Sequence, residues 1–288
     1  MATLVVGYDV EAFAIGEGLA RIGDHGLATA LEPESTIKGL EIITRNHEEF
    51  DAPATLFVCG RTLVHDALPA IKAASRNRLF DIQQHTYSHI LFKEDRWKGG
   101  VFRPSTPEAI AFEVEATSGL IRKHLGVEVT GLRTPHGYYR GLADRPDYLK
   151  ILHDNGIRFV SSWGRNESNE QPTPWLAQPY WYARQGYPDM LEIPFQFWLD
   201  GTWFEAFGPQ KGAQFGLLLR GALDAVIAQD LVYGCCFHDW CMVHYNESGT
   251  GWVRGLLQHA RERNVEILSY TQFYQREVSR KAASVAPA

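Results

Sequence analysis

The alternation of short β-rich runs with helix-like runs limits most strongly what this chain can fold into. The run LVVGYDV at residues 4–10 and the run ATLFVCG at 54–60 are apolar and β-rich. Residues 35–50 between them carry apolar side chains at helical spacing. The order of strand, helix and strand therefore predicts a βαβ unit.

The same alternation continues along the 288 residues. Further strands are predicted at 79–85, 130–137, 158–163, 191–198 and 231–240, and further helices at 63–77, 107–126, 148–156, 216–230 and 253–264. Such a pattern favours an α/β fold with a parallel sheet and outer helices. A barrel of about seven or eight strands is our first choice and an open doubly wound sheet the second. Without a repeat or linker, residues 1–288 are expected to form one domain with a frayed tail at 279–288.

Charge and cysteine usage narrow the classes of partner. The formal net charge is −6 and no long basic run is present, so neither nucleic acid nor an anionic membrane is expected as a partner. No apolar run approaches the roughly 18 residues of a spanning helix, and the N-terminus lacks the pattern of a signal peptide. The four cysteines show no pairing framework. These features predict a cytoplasmic protein that acts on a small molecule.

Polar side chains cluster at the ends of five predicted strands. Functional groups of parallel α/β folds gather at the carboxyl ends of strands, so these clusters predict one shared site. The clusters are Asp9 with Glu11, His85 with His89, residues 133–137, residues 161–163 and residues 238–240.

Two of these clusters suit a metal ion. His85 and His89 are four residues apart and would share one face of a helical turn, within reach of one ion. Asp9 and Glu11 are two apart and would project to the same side of an extended strand. Two histidines and one carboxylate form a catalytic zinc arrangement that also suits iron, cobalt or nickel. Taken singly, each pair is also compatible with a structural role.

The motifs together resemble the polysaccharide deacetylases, a carbohydrate esterase family that includes chitin, chito-oligosaccharide and peptidoglycan deacetylases. The matching pieces are Asp9-Val10-Glu11, ATLFVCG at 54–60, HTYSH at 85–89, RTPHG at 133–137, SSW at 161–163 and FHD at 237–239. The resemblance implies an irregular (β/α) barrel of about seven strands. It also implies hydrolysis of an amide carbon–nitrogen bond, in an N-acetylated sugar or a related small amide.

The resemblance assigns roles residue by residue. His85 and His89 match the metal-binding histidines, and Glu11 stands where the family has a metal-binding aspartate. Asp9 matches the carboxylate that acts as base on the attacking water. Arg133 matches the arginine that orients this base, and His238 the histidine that protonates the leaving group. Zinc is the expected ion, with cobalt, nickel or iron as alternatives.

Two departures from the family pattern leave other functions open. The family's acidic motif is two adjacent aspartates, whereas one residue separates Asp9 from Glu11, as in a side branch with peptidoglycan-deacetylase-like and cyclic-imide or allantoin-hydrolysing relatives. Ring opening of a cyclic amide, without metal in some relatives, is therefore an alternative, and a catalytically inactive sugar-binding barrel is a third. The strand at 161–163 also lacks the family's aspartate, so Asp239 or Glu192 is expected to supply the charge beside His238.

Substrate contacts are the least constrained part of the prediction. The aromatic cluster at 179–182 is either a platform for sugar rings or packing. The segment 175–198 is either a binding platform or an interface of a homo-oligomer. The glycine-bearing stretch 16–26 does not match a dinucleotide-binding motif and is expected to be a loop. The candidate substrate-binding residues are Pro135, His136, Tyr138, Trp163 and Trp181.

Overall fold

The computed structural model describes residues 2–21, 28, 31–97 and 100–285. One curled sheet lies at its centre, with strands in the order β10-β1-β2-β3-β6-β7-β9-β8, and β11 pairs with the first half of β1. All pairs in this sheet are parallel except β8–β9. The strands are β1 (Thr3–Val10), β2 (Ala54–Val58), β3 (Phe80–Gln84), β6 (Gly131–Tyr138), β7 (Phe159–Trp163), β8 (Tyr180–Trp181), β9 (Leu191–Glu192), β10 (Val232–His238) and β11 (Glu266–Leu268), and a separate hairpin holds β4 (Asp95–Trp97) and β5 (Gly100–Phe102).

Helices cover the outside of this sheet. The α4 helix shows clear boundary signals, since the Thr106 side chain accepts a hydrogen bond from Ala109 N and Gly126 ends the helix at a positive φ of 70°. The helices are α1 (Ala12–Arg21), α2 (Pro33–Phe50), α3 (Leu68–Ser75), α4 (Pro107–Leu125), α5 (Pro146–Asp154), α6 (Asp200–Phe207), α7 (Gly212–Ala228), α8 (Asp239–His244), α9 (Glu247–Thr250), α10 (Trp252–Glu262) and α11 (Tyr270–Val285). No helix among the described residues is both long and apolar enough to cross a membrane.

The strands β1 and β2 are buried on both faces of the sheet. Every residue of β1 and of β2 is buried, as expected for strands with side chains in the barrel interior and under the helices. β1 lies between β10 and β2, and its register places Asp9 beside His238 on one side and Phe57 on the other. The carboxyl ends of these strands therefore bring their polar side chains to one end of the sheet.

The irregular (β/α) barrel predicted from the sequence is confirmed, but several elements differ. The predicted strand at 191–198 is a strand only at Leu191–Glu192, because Pro194 has no N–H for the ladder and Gly234 of β10 lies directly against its carbonyl. The predicted helix at 63–77 is a short 3₁₀ turn, Gly60–Val64, followed by α3. The final helix continues through Val285, where the sequence predicted a frayed tail from residue 279.

The loop expected at 16–26 is wrong for its first part. Residues 16–21 belong to α1, and residues 22–26 lie outside the described residues. Gly16 indicated a loop, but a Cβ at this position would lie 2.5 Å from the carbonyl oxygen of Leu31. Glycine is therefore explained by close helix packing rather than by a turn.

Candidate active site

Asp9 is held at the end of β1 by a buried arginine. Arg133 Nη1 donates to Asp9 Oδ1 at 2.9 Å, and both side chains are buried. Arg133 also donates to Ser161 Oγ at 3.2 Å and to the carbonyl of Cys235 at 3.3 Å. Its guanidinium lies over the ring of Phe57, 4.3 Å from the centroid. These contacts fix Oδ1 of Asp9, while Oδ2 accepts a hydrogen bond from Cys236 Sγ at 3.3 Å.

Glu11 meets the two histidines of the HTYSH motif. Its Oε2 lies 2.9 Å from His85 Nε2 and 3.1 Å from His89 Nε2. The loop reaches this geometry without the predicted helical turn, because Thr86 and His89 adopt positive φ angles of 60° and 62°. Burial raises the pKa of Glu11, but the charges of His89 and His238 and the hydrogen bond with His85 outweigh it and hold this pKa well below its ordinary value.

The donor set of Glu11, His85 and His89 fits a divalent cation. Their ligand atoms lie within 4.8 Å of one another. The carbonyl of Arg133 lies 2.9 Å from His85 Nδ1, so a neutral His85 that donates there would present the lone pair of Nε2 to a cation shared with Glu11. Trp240 Nε1 donates to Glu11 Oε1 at 3.3 Å and helps fix the carboxylate. Two imidazole nitrogens and a carboxylate oxygen that face one another are a suitable ligand set for zinc and related ions.

Two other groups of described residues have comparable spacing but less suitable chemistry. They are Asp9 with Cys236 and His238, and Asp200 with His238 and Cys241. Burial raises the pKa of both thiols well above its ordinary value, and metals bind the thiolate. His238 Nδ1 is already hydrogen-bonded to Asp200. Of the three groups, Glu11, His85 and His89 therefore have the chemistry that best fits a divalent cation.

His238 ends β10 next to Asp9. Its Nε2 lies 3.9 Å from Asp9 Oδ2 and 3.6 Å from Glu11 Oε1. Its Nδ1 bonds Asp200 Oδ1, and its backbone N donates to Asp200 Oδ2 at 2.9 Å. Burial lowers the pKa of His238, but the negative charges of Asp200 and Glu11 raise it to about 10. An imidazole with this environment carries a proton at neutral pH.

The charge beside His238 comes from a residue that the sequence did not indicate. Asp239 instead accepts hydrogen bonds from Thr36 at 2.6 Å and from the backbone N of Glu11 at 3.3 Å. Glu192 accepts from Ser162 and from the backbone N of Trp163. The expectation of Asp239 or Glu192 was therefore wrong. The sequence does not indicate Asp200, because the apolar residues at 191–198 predict a continuous strand and give no signal for the start of α6 at Asp200.

Of the five predicted substrate contacts, one lines the cavity and four do not. His136 lines the cavity beside His89, whose ring centroid is 5.6 Å away. The fully buried Tyr138 donates to the carbonyl of Pro135, so this pair braces the turn. Trp163 donates to the carbonyl of Arg165. Trp181 packs beneath Lys281, whose Nζ is 4.2 Å from its ring centroid, and neither tryptophan lines the cavity.

The site opens on a cavity of about 360 Å³. Its polar side carries Asp9, Glu11, His89 and His238, together with a second cluster of Asp95, His136 and Arg165. Sequence reasoning missed Asp95 and Arg165, which lie on a short hairpin and an irregular loop without periodic signal. The apolar lining residues are Ala14, Ile15, Leu31, Leu91, Phe102, Phe195 and Leu199.

The polysaccharide deacetylase family model matches residues 41–160. This match confirms the resemblance predicted from the motifs. It covers the segment from α2 to β7, including HTYSH and RTPHG, and leaves Asp9, Glu11 and His238 outside the matched range. No curated protein sequence matches the chain.

Solved structures share the fold over almost the whole chain. A protein from Mycobacterium smegmatis that carries the polysaccharide deacetylase name has a TM-score of 0.69 at 18% identity, with 97% of this chain and 91% of that chain covered. A second such protein, from Pseudomonas aeruginosa PAO1, has a TM-score of 0.70 at 14% identity, with 95% and 90% covered. PuuE allantoinase has a TM-score of 0.68 at 15% identity, with 95% and 89% covered.

Proposed function

We propose that this protein hydrolyses the carbon–nitrogen bond of a small amide, with Asp9 as general base and His238 as general acid. One observation carries the proposal. Asp9 and His238 occupy paired register positions at the ends of β1 and β10, and both line the cavity together with Glu11 and His89, while His85 contacts Glu11 from behind this wall. Base, acid and cation ligands thus surround one space large enough for a small molecule.

The roles follow from the hydrogen bonds of each group. Arg133 fixes Asp9 Oδ1, so Oδ2 is the oxygen available to take a proton from the attacking water. The water oxygen bonds to the amide carbonyl carbon, and the carbon–nitrogen bond breaks as His238 gives its Nε2 proton to the departing nitrogen. Asp200 holds Nδ1 and so directs Nε2 towards the reaction. Transfer of the proton from Asp9 to His238 restores both groups.

Glu11, His85 and His89 are the residues that would hold a divalent ion, zinc first and cobalt, nickel or iron as alternatives. Such an ion would polarise the amide carbonyl as a Lewis acid and make an attacking water more acidic. The protein's own contribution is to orient the three ligands, through the carbonyl of Arg133 on His85 and the indole of Trp240 on Glu11.

Two reactions that break an amide carbon–nitrogen bond are candidates. Deacetylation of an N-acetylated sugar or a related small amide is supported by the match to the polysaccharide deacetylase family model. Ring opening of a cyclic amide is the second candidate, supported by the likeness of the whole barrel to PuuE allantoinase. The similar folds also include a wild-type pseudoenzyme of carbohydrate esterase family 4 from Bacillus anthracis, at a TM-score of 0.52 and 12% identity over 94% of this chain and 65% of that chain. The presence of base, acid and ligand set here favours catalysis.

A panel of substrates with defined metals tests the proposal. Acetylated amino sugars, nucleotide sugars, allantoin and cyclic imides are incubated with zinc, cobalt, nickel or iron, and acetate release is measured against ring opening. Asp9→Asn and His238→Ala should abolish turnover while the far-ultraviolet circular dichroism stays unchanged. Bound metal should be lost in both His85→Ala and His89→Ala. Full activity of either Asp9→Asn or His238→Ala, or no hydrolysis of any amide with any metal, contradicts the proposal.

A further inference from the structure

A second polar cluster on the cavity wall consists of residues that the proposed reaction does not use. Asp95 of the β4–β5 hairpin is buried, and its Oδ2 accepts hydrogen bonds from His136 Nδ1 and from Arg165 Nη2, the latter at 3.3 Å. Its Oδ1 accepts from the backbone N of Arg96 at 2.8 Å. Asp95 is therefore fully occupied by the protein and serves to hold the other two side chains.

Arg165 lines the cavity and retains donors that no described residue accepts. A guanidinium has five N–H groups. Nε donates to the carbonyl of Gly137 and Nη2 to Asp95, whereas Nη1 has no hydrogen bond to the residues that the structure describes. The side chain lines the cavity and is only 14% exposed. A planar donor fixed in this way binds a carbonyl or carboxylate oxygen well, since its orientation is set before the ligand arrives.

The Arg165 cluster lies close to the reacting groups. His136 is the contact between them, because it bonds Asp95 on one side and its ring lies 5.6 Å from that of His89 on the other. His89 in turn contacts Glu11. An oxygen bound by Arg165 would therefore belong to the same small molecule as the amide at Asp9 and His238.

Much of the remaining wall of the cavity is apolar, and Ile15, Leu31, Leu91, Phe102 and Leu199 line it beside the polar residues Ser88, Thr134, Thr202 and Glu205. Sugar hydroxyls against the apolar part of this wall would lose hydrogen bonds to water without replacement. Trp181, from the predicted sugar platform at 179–182, does not line the cavity, and neither does the predicted substrate contact Trp163.

We propose that Arg165 determines specificity by binding a carbonyl or carboxylate oxygen of a small amide whose remaining surface is apolar. The proposal rests on the proposed function, which supplies the amide at Asp9 and His238. It replaces the acetylated sugar by a compact acylated compound with one oxygen acceptor and one apolar group.

Matched ligands test this proposal by affinity. N-acetyl-L-leucine offers a carboxylate, N-acetyl-L-leucinamide a carbonyl, and N-isoamylacetamide neither, while all three keep the same amide and apolar group. Calorimetric titration of the zinc-loaded protein should show at least about tenfold tighter binding of one or both acceptor-bearing ligands than of N-isoamylacetamide, the loss expected for a hydrogen bond to a charged donor. The tighter of the two identifies the acceptor as carboxylate or carbonyl.

Variants assign the difference to Arg165. Arg165→Met should remove the affinity gap, and Arg165→Lys should reduce it. Arg96→Met is the control, because Arg96 lies on the same hairpin with its side chain 80% exposed, and it should keep the gap. Thermal unfolding reports whether the variants fold, and the lysine variant retains the charge beside Asp95.

The outcomes separate this proposal from the proposed function. Equal affinities of the three ligands, no binding of any, an unchanged gap in a folded Arg165→Met protein, or tighter binding of N-acetylglucosamine overturns the specificity proposal. Hydrolysis is followed in the same samples. An Arg165-dependent gap without hydrolysis supports the binding proposal and contradicts the proposed function, while hydrolysis without such a gap does the reverse.

Discussion

His238 is held in place by a single carboxylate, that of Asp200. Asp200 bonds both the imidazole Nδ1 and the backbone N of His238. Asp200→Asn removes the charge and weakens the orientation of the ring. We expect kcat for amide hydrolysis to fall about 10²-fold, the usual contribution of a positioned general acid, with little change in KM. Steady-state kinetics on whichever amide the substrate panel identifies measures both constants.

The control for this variant is another aspartate that contacts a histidine. Asp224 Oδ1 lies 3.0 Å from His259 Nε2, but this pair lies partly exposed on α7 and α10, away from the cavity. Asp224→Asn should leave kcat unchanged. A KM increase with unchanged kcat in Asp200→Asn would show that Asp200 supports binding rather than proton transfer.

The ion pair between Arg133 and Asp9 should contribute strongly to stability, because both charges are buried. Arg133→Met leaves the Asp9 carboxylate without its cation and also removes donors to Ser161 and Cys235. We expect the free energy of unfolding to fall by about 3–5 kcal/mol, as for other buried pairs that lose one partner. Urea denaturation followed by fluorescence gives the value.

The double variant distinguishes the charge from the packing. Arg133→Met combined with Asp9→Asn removes both charges, so it should be more stable than Arg133→Met alone. If the double variant loses as much stability as the sum of the two single variants, the pair does not interact as the distance of 2.9 Å indicates.

The sequence predicts those site residues that lie in or next to a predicted strand. Asp9, Glu11, His85, Arg133 and His238 follow predicted strands directly, and the structure brings them together. Asp200 and Arg165 follow a break in β9 and an irregular loop, so their position depends on tertiary contacts alone. The same limit applies to Trp181, whose exposure and stacking could not be distinguished from packing against α11 without the fold.

At the scale of elements, α2 is fastened to β1 by a buried histidine. His47 lies in the last turn of α2, with Nε2 2.8 Å from the hydroxyl of Tyr8 and Nδ1 2.7 Å from the carbonyl of Ala52. Burial lowers the pKa of His47 to about 4, although the hydrogen bond to Ala52 opposes this. Folding therefore requires the neutral ring.

The stability of the protein should depend on pH through His47. Between its unfolded pKa of about 6.5 and about 4, the unfolded chain binds a proton that the folded protein does not. Stability is therefore fully present above pH 6.5 and falls as the pH decreases, by about 3 kcal/mol at pH 4 from this group. Urea denaturation at several pH values measures the slope.

His47→Asn should flatten this dependence, because asparagine keeps a donor for Ala52 and does not titrate. His153→Asn provides the control, since His153 lies on the surface in contact with Asp189. An equally steep pH dependence in His47→Asn would show that other groups produce it.

Some helices and strands can be predicted from the sequence, and others cannot. β1, β2 and α4 are read directly from apolar runs, an N-capping threonine and a C-terminal glycine. Gly16 favours a loop in the sequence, but in the structure it lies in α1 and allows close packing against Leu31. The predicted strand at 191–198 is longer than β9 because apolar residues continue past Pro194. The hairpin that holds Asp95 has three-residue strands, too short for a periodic pattern.

At the scale of the whole molecule, the barrel closes between β9 and β10 without a regular strand pair. Gln196 N donates to the carbonyl of Gly234 at 3.0 Å, and Gln196 Oε1 accepts from Gly234 N at 2.6 Å. Gln178 Oε1 accepts from Val232 N at 3.0 Å, and its Nε2 donates to the carbonyl of Val232. Two side-chain amides thus take the place of a neighbouring strand along β10. Because β10 carries His238, this closure also supports the site.

Gln196→Leu tests whether the amide closes the barrel. The change keeps an apolar side chain of similar size but leaves Gly234 N and the carbonyl of Ala177 without their partner. We expect a loss of about 3 kcal/mol in the free energy of unfolding, because each buried polar group without a hydrogen bond costs about 1–3 kcal/mol. We also expect faster hydrogen exchange at the amide of Gly234, while amides of β2 change little. Gln229→Leu, on an exposed residue at the end of α7, should change neither measurement. Unchanged exchange at Gly234 in Gln196→Leu would mean that the backbone of the barrel closes at β10 without the side chain.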